Sequence, residues 1–125
     1  MMVNNKVIGN QYEKQLCELL QKNGYWCYLM SYTPSGQPCD VVAVKDNKVY
    51  LIDVKHSSNN KFYASRIEPN QHTCFQYASK KCEVKNCGFA IYSDALKQFY
   101  WLNYDDVKEV NILNELGTME DEISG

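Results

Sequence analysis

The sequence predicts an α/β domain built on a mixed sheet flanked by helices. Three features point there: apolar residues at helical spacing near the start of the chain, two β-rich arms meeting at a tight turn, and a second helical segment before a further pair of strands. A chain of 125 residues can bury one hydrophobic core without disulfide or metal staples. Its composition, 45% apolar, 22% charged and 13% aromatic, is ordinary for a globular domain and excludes a low-complexity chain.

The elements follow in order. Ile8, Tyr12, Leu16, Leu19 and Leu20 recur at helical spacing with charges between them, and Asn23-Gly24 is a natural stop, so residues 7–22 read as a helix. YWCYLMSY (25–32) reads as a strand, closed by the breakers Pro34, Ser35, Gly36 and Pro38. Then comes CDVVAVKDNKVYLIDVK, two β-rich arms around Asp46-Asn47, residues that tolerate the left-handed backbone of a two-residue hairpin turn. That turn pairs Lys45 with Lys48, Val41 with Ile52, and Asp40 with Asp53. HSSNNK (56–61) reads as a loop. Pro69 opens a second helix with Phe75, Ala78 and Cys82 on one face, ending near Lys81. GFAIY (88–92) and QFYWL (98–102) read as strands. Val107, Val110, Leu113 and Leu116 suggest a last amphipathic helix, with GTMEDEISG as a frayed tail. The expected order is αβββαββα, divided into a body, residues 1–104, and an acidic C-terminal helix and tail, 105–125.

The net charge of −2 is unevenly spread. From Asp105 onward seven acidic residues face the single Lys108, whereas residues 1–104 hold 12 bases and 8 acids, a surplus of +4 that could attract a polyanion. No apolar run is long enough to span a bilayer and no signal-peptide pattern opens the chain, so a cytoplasmic protein that does not engage a membrane is expected. The six cysteines include no CxxC pair and read as reduced thiols.

Chemistry is concentrated at the hairpin's open end. Directly opposed carboxylates are destabilising, and alternation puts Lys55 on the face of Asp53, so two carboxylates and an ammonium converge. Oxygen ligands at this spacing suit Mg²⁺ or Mn²⁺. The ordinary alternative is a pair of solvated hairpin-end charges with Lys55 as a surface ion-pair partner. Glu13 borders the apolar stripe of the first helix, and Gln71 shares the apolar face of the second; neither polar residue has an obvious structural reason there.

GNQYE (9–13), SGQPCD (35–40), IDVK (52–55) and Gln71 together resemble the PD-(D/E)xK nuclease superfamily, in particular the Holliday junction resolvases of archaeal and RecU-like type. The likeness runs over roughly residues 5–103. It implies a restriction-endonuclease-like αβββαβ core and a metal-dependent, structure-selective endodeoxyribonuclease, most simply a Holliday junction resolvase acting on branched DNA as a homodimer. By this resemblance Glu13, Asp40 and Asp53 would hold Mg²⁺, with Mn²⁺ as substitute, Lys55 would orient water or hold the phosphate, and Gln71 would support the site. The alternatives are a restriction- or repair-type nuclease of the same fold, or a non-catalytic DNA-structure-binding protein.

Other residues rank below these. Ser35 could touch a phosphate or simply serve a Ser-Gly turn. Lys61, Phe62, Tyr63 and Arg66 interleave bases with aromatics, which fits either a DNA-facing loop, with Lys61 and Arg66 as contacts, or a polar loop with its aromatics tucked inward. His56 and His72 read as incidental surface histidines. The aromatic stretches Tyr25–Tyr32 and Phe99–Trp101 are candidates for a dimer interface.

Overall fold

The computed structural model describes residues 5–30 and 39–124, with side chains from residue 11 onward. Helix α1 spans Asn5–Lys22 and ends as its sequence predicts: Gly24 takes φ +86°, the Tyr25 amide returns to the Leu20 carbonyl at 3.0 Å, and the Asn23 side chain donates to the Leu19 carbonyl at 2.9 Å. Strand β1 (Trp26–Leu29) pairs antiparallel with β2 (Val41–Lys45), and β2 with β3 (Lys48–Ser57). Asp46 makes the hairpin turn at φ 54°, and the register from Val41↔Ile52 to Lys45↔Lys48 is the one expected.

The chain then crosses through β4 (Lys61–Tyr63) and helix α2 (Pro69–Lys80) to β5 (Asn86–Ser93), which pairs parallel with β3, and turns back into β6 (Gln98–Asn103). The result is a mixed five-stranded sheet in the order β1-β2-β3-β5-β6. Gly88 in β5 is required by close packing, since a Cβ there would lie 2.2 Å from the Leu102 carbonyl oxygen.

Alternation splits the core into two layers, one on each sheet face. On one, Leu16 and Leu20 of α1 meet Val41, Ala43, Tyr50, Ile52 and Ala90. On the other, Phe75 and Ala78 of α2 meet Phe89, Ile91 and Leu102. Fully burying aliphatic and aromatic side chains of this size contributes about 1.5–3 kcal/mol each. No helix among the described residues is long and apolar enough to cross a membrane.

The C-terminal segment departs from expectation. Residues 107–116 form no helix; strand β7 (Val110–Ile112) pairs antiparallel with β4 in a small second sheet, between short 3₁₀ turns at Tyr104–Asp106 and Leu113–Glu115. Asn111 fixes this pairing: it is buried and its side-chain amide donates to the Phe62 carbonyl at 2.9 Å. The expected frayed tail instead holds a short helix, α3 (Met119–Ile123), capped by Thr118 and placing Met119 and Ile123 in the core. HSSNNK is only partly loop, because β3 runs to Ser57 and β4 starts at Lys61. Cys82, expected on the buried face of the second helix, lies beyond its end and is exposed.

Candidate active site

The convergence expected at the hairpin end is present, with one geometric change. Asp40 does not sit in a regular pair with Asp53: its amide donates to the Ile52 carbonyl at 2.9 Å, and Ile52 is already the partner of Val41. Two residues thus face one, a bulge-like step at the end of β2. The Asp40 carboxylate is pinned there, its Oδ2 accepting the Val54 amide at 2.8 Å.

Asp53 lies in β3, the middle strand of the sheet, and is 2% exposed. Its Oδ1 accepts a hydrogen bond from Gln71 Nε2 at 2.9 Å. The Lys55 ammonium stands 3.1 Å from Oδ2, but off the direction of a hydrogen bond, so that among the described residues this buried oxygen has no hydrogen-bond donor. Burial, and after it the Asp40 carboxylate, push Asp53 from its ordinary 3.8 up to about 8, against the opposing pull of Lys55.

Gln71 owes its orientation to the helix start. It is the third residue of α2, and its Oε1 accepts the Glu68 amide at 2.9 Å while the Glu68 side chain accepts the Gln71 amide, a reciprocal capping box. With Oε1 so engaged, Nε2 is the end left to face Asp53. Asp40, Asp53, Val54, Lys55, Glu68, Asn70 and Gln71 line a cleft of about 620 Å³. Glu68 and Asn70 were missed from the sequence; the E-P-x-Q pattern at the helix start was the available signal.

The remaining candidates fall elsewhere. Glu13 is buried on α1 and is not among the residues that line the cleft. Of the three carboxylates the resemblance implies as ligands, Asp40 and Asp53 line this cleft together. Glu13 faces inward, as helical periodicity predicts. Ser35 lies outside the described residues.

Lys61 is exposed on β4, and Arg66 folds back, donating to the His56 carbonyl at 2.9 Å with its guanidinium over the Phe62 ring. Phe62 is fully buried and Tyr63 partly exposed, so this stretch is a packed strand and turn, not an open loop. His56 contacts Asp94 at 2.6 Å and His72 contacts the Tyr104 hydroxyl at 2.7 Å, which gives each a structural partner. Phe99, Tyr100 and Trp101 are buried, which removes them as an interface; within the other stretch Tyr25 is buried while Trp26 and Tyr28 are exposed.

The donor set suits a divalent cation. Two neighbouring carboxyl groups, the buried one with its pKa pushed up by burial and by the other, would be relieved by positive charge between them.

A mixed α/β sheet of this topology with a carboxylate pair and lysine at its hairpin end defines the PD-(D/E)xK type of domain. The chain belongs to the archaeal Holliday junction resolvase (Hjc) family, whose model matches residues 4–82. The Hjc Holliday junction resolvase of the hyperthermophile Archaeoglobus fulgidus has a similar fold, with a TM-score of 0.69 at 14% identity over 92% of this chain and 94% of that one. UPF0102 protein FN1370 of Fusobacterium nucleatum is 33% identical over 60 residues, and the match spans about half of each protein, 48% of this chain and 50% of the relative.

Proposed function

We propose that the chain is a divalent-metal-dependent, structure-selective endodeoxyribonuclease, a Holliday junction resolvase that cuts branched DNA as a homodimer. The observation that carries this reading is the juxtaposition of Asp40, Asp53 and Lys55 in one cleft of a chain belonging to the Hjc family.

Asp40 and Asp53 would hold Mg²⁺, or Mn²⁺ in its place, and the ion supplies a water of lowered pKa and neutralises charge on the scissile phosphate. The residues themselves do the positioning. The Val54 amide fixes Asp40, the Gln71 amide fixes Asp53, and neither carboxylate needs to reorganise when the phosphate arrives. Lys55, with its Nζ beside Asp53, places a fixed positive charge where the pentacovalent phosphate becomes more negative. A four-way junction must be nicked at two symmetric positions, so one site per 125-residue chain calls for a two-fold partner.

The test is cleavage of a four-way junction, a flap, a nicked duplex and a linear duplex by the purified chain in Mg²⁺ and in Mn²⁺. Paired nicks in the junction are expected. Cutting of linear duplex without preference for branches would favour a restriction- or repair-type nuclease of the same fold. If every substrate stays intact in both metals, the enzyme reading is wrong and a DNA-structure binder takes its place.

A further inference from the structure

On the sheet face that carries Asp53 and Lys55, two large aromatic side chains are exposed: Trp26 by 59% and Tyr28 by 41%. The registers fix their side. Trp26 pairs with Val44 and Tyr28 with Val42, and these pair in turn with Val49 and Leu51. Residues two apart on a strand share a face, so Trp26 and Tyr28 share that of Val49, Leu51, Asp53 and Lys55. The next row along includes Asp40, whose carbonyl accepts the Met30 amide at 2.8 Å. Tyr28 is therefore two residues, about 7 Å, and Trp26 four residues, about 13 Å, along β1 from the row bearing Asp40.

Among the described residues, helix α2 covers the Phe89 and Ile91 side of this face and does not reach over Val49, which is 37% exposed. The two rings lie within 16° of parallel with centroids 6.3 Å apart. A cation on the same face, Lys55, stands at the cleft.

Building on the nuclease reading, we propose that Trp26 and Tyr28 form a stacking platform for unpaired bases of the DNA strand that enters the Asp40–Asp53 cleft. Ring faces accept any base, because every base has a π-face. Inside a duplex those faces are occupied by neighbouring bases. At a branch point some are uncovered, so the platform recognises branching and not sequence.

Trp26 and Trp101 are the two tryptophans, and Trp101 is only 8% exposed, so changes in emission on adding DNA report chiefly on Trp26. The full chain is titrated, with chelator present to stop cleavage, with a four-way junction bearing unpaired thymines at its centre and with fully paired linear duplex. Quenching by the first and little by the second is expected. Trp26→Ala and Tyr28→Ala should each weaken binding of the branched DNA about five- to one-hundred-fold, with Trp26→Phe retaining most of the affinity.

Unchanged affinity in both alanine variants, or equal quenching by linear duplex, overturns the platform, and cleavage of junctions by the unaltered chain would then leave the nuclease reading standing. No binding and no cleavage in Mg²⁺ or Mn²⁺ would sink both. Sedimentation velocity supplies the remaining outcome. If either alanine variant turns a dimer into monomers, the aromatic pair is a contact between copies and the proposal fails.

Discussion

Replacing Asp53 by asparagine should make the metal-free protein more stable at pH 8 while abolishing its response to Mg²⁺. The cause is the site's own electrostatics. Burial and then Asp40 raise the Asp53 carboxyl from 3.8 to about 8. Between those values the unfolded chain has released a proton that the folded chain retains, so the folded state binds more protons and unfolding becomes easier as pH rises. Below pH 4 both states are protonated and the penalty vanishes. At 1.36 kcal/mol per pH unit the full interval sets a ceiling of roughly 5–6 kcal/mol.

The asparagine side chain would keep an oxygen for Gln71 Nε2 but leave Lys55, whose side chain is only 14% exposed, without its anion. With that loss set against the gain, a net stabilisation of about 2–3 kcal/mol at pH 8 is expected, near 10 °C in Tm for a chain of this size. The assay is thermal unfolding of both proteins from pH 4 to 9 in chelator, then with added Mg²⁺. The unaltered chain should lose stability between pH 5 and 8 relative to Asp53→Asn and regain about 2.7 kcal/mol at a Mg²⁺ concentration 100 times its Kd. A pH-independent difference between the two, or Asp53→Asn proving the less stable at pH 8, would refute the reasoning.

Three further outcomes are expected. Asp40→Asn and Lys55→Ala should abolish junction cleavage, with DNA binding by Asp40→Asn equal or tighter because an anion facing the phosphate is gone; wild-type cutting by Asp40→Asn in a gel assay would show that the site is misassigned. Gln71→Ala should give a smaller cleavage defect and cost about 1 kcal/mol of stability, since it removes both the support of Asp53 and half of the capping box. Chemical denaturation should find Gly88→Ala destabilised by several kcal/mol, because a Cβ 2.2 Å from the Leu102 carbonyl forces β5 and β6 apart; a native midpoint would contradict the close approach.

The hairpin and the carboxylate–lysine convergence were legible because strand alternation and a two-residue turn are local signals: once Asp46 is placed in the turn, the register of every residue back to Val41 follows. Gln71 was legible for a similar reason, since helical period puts it on the face of Phe75. The bulge-like step at Asp40 was not, because nothing in the side-chain pattern distinguishes one residue too many at a strand end. Val107, Val110, Leu113 and Leu116 imitate a helix, yet Val110 is 44% exposed and the segment is held by β4, some fifty residues earlier in the chain. That pairing, and the Asn111 bond to Phe62 that accompanies it, are long-range contacts with no periodic trace. Aromatic content alone also could not separate buried Trp101 from exposed Trp26.

The parallel pairing of β3 with β5 has a consequence for how the chain matures. Asp53 is buried only once its strand has found Phe89, 36 residues further on, with a helix formed in between. Contacts of that sequence separation close slowly, whereas the β2–β3 hairpin can close within microseconds. A half-folded chain thus carries the hairpin with both carboxylates in water, where they repel little and hold a cation poorly. The crowded arrangement of the two carboxyl groups arises only when the central strands dock, so the proposed cleavage chemistry would be confined to molecules that have completed their fold.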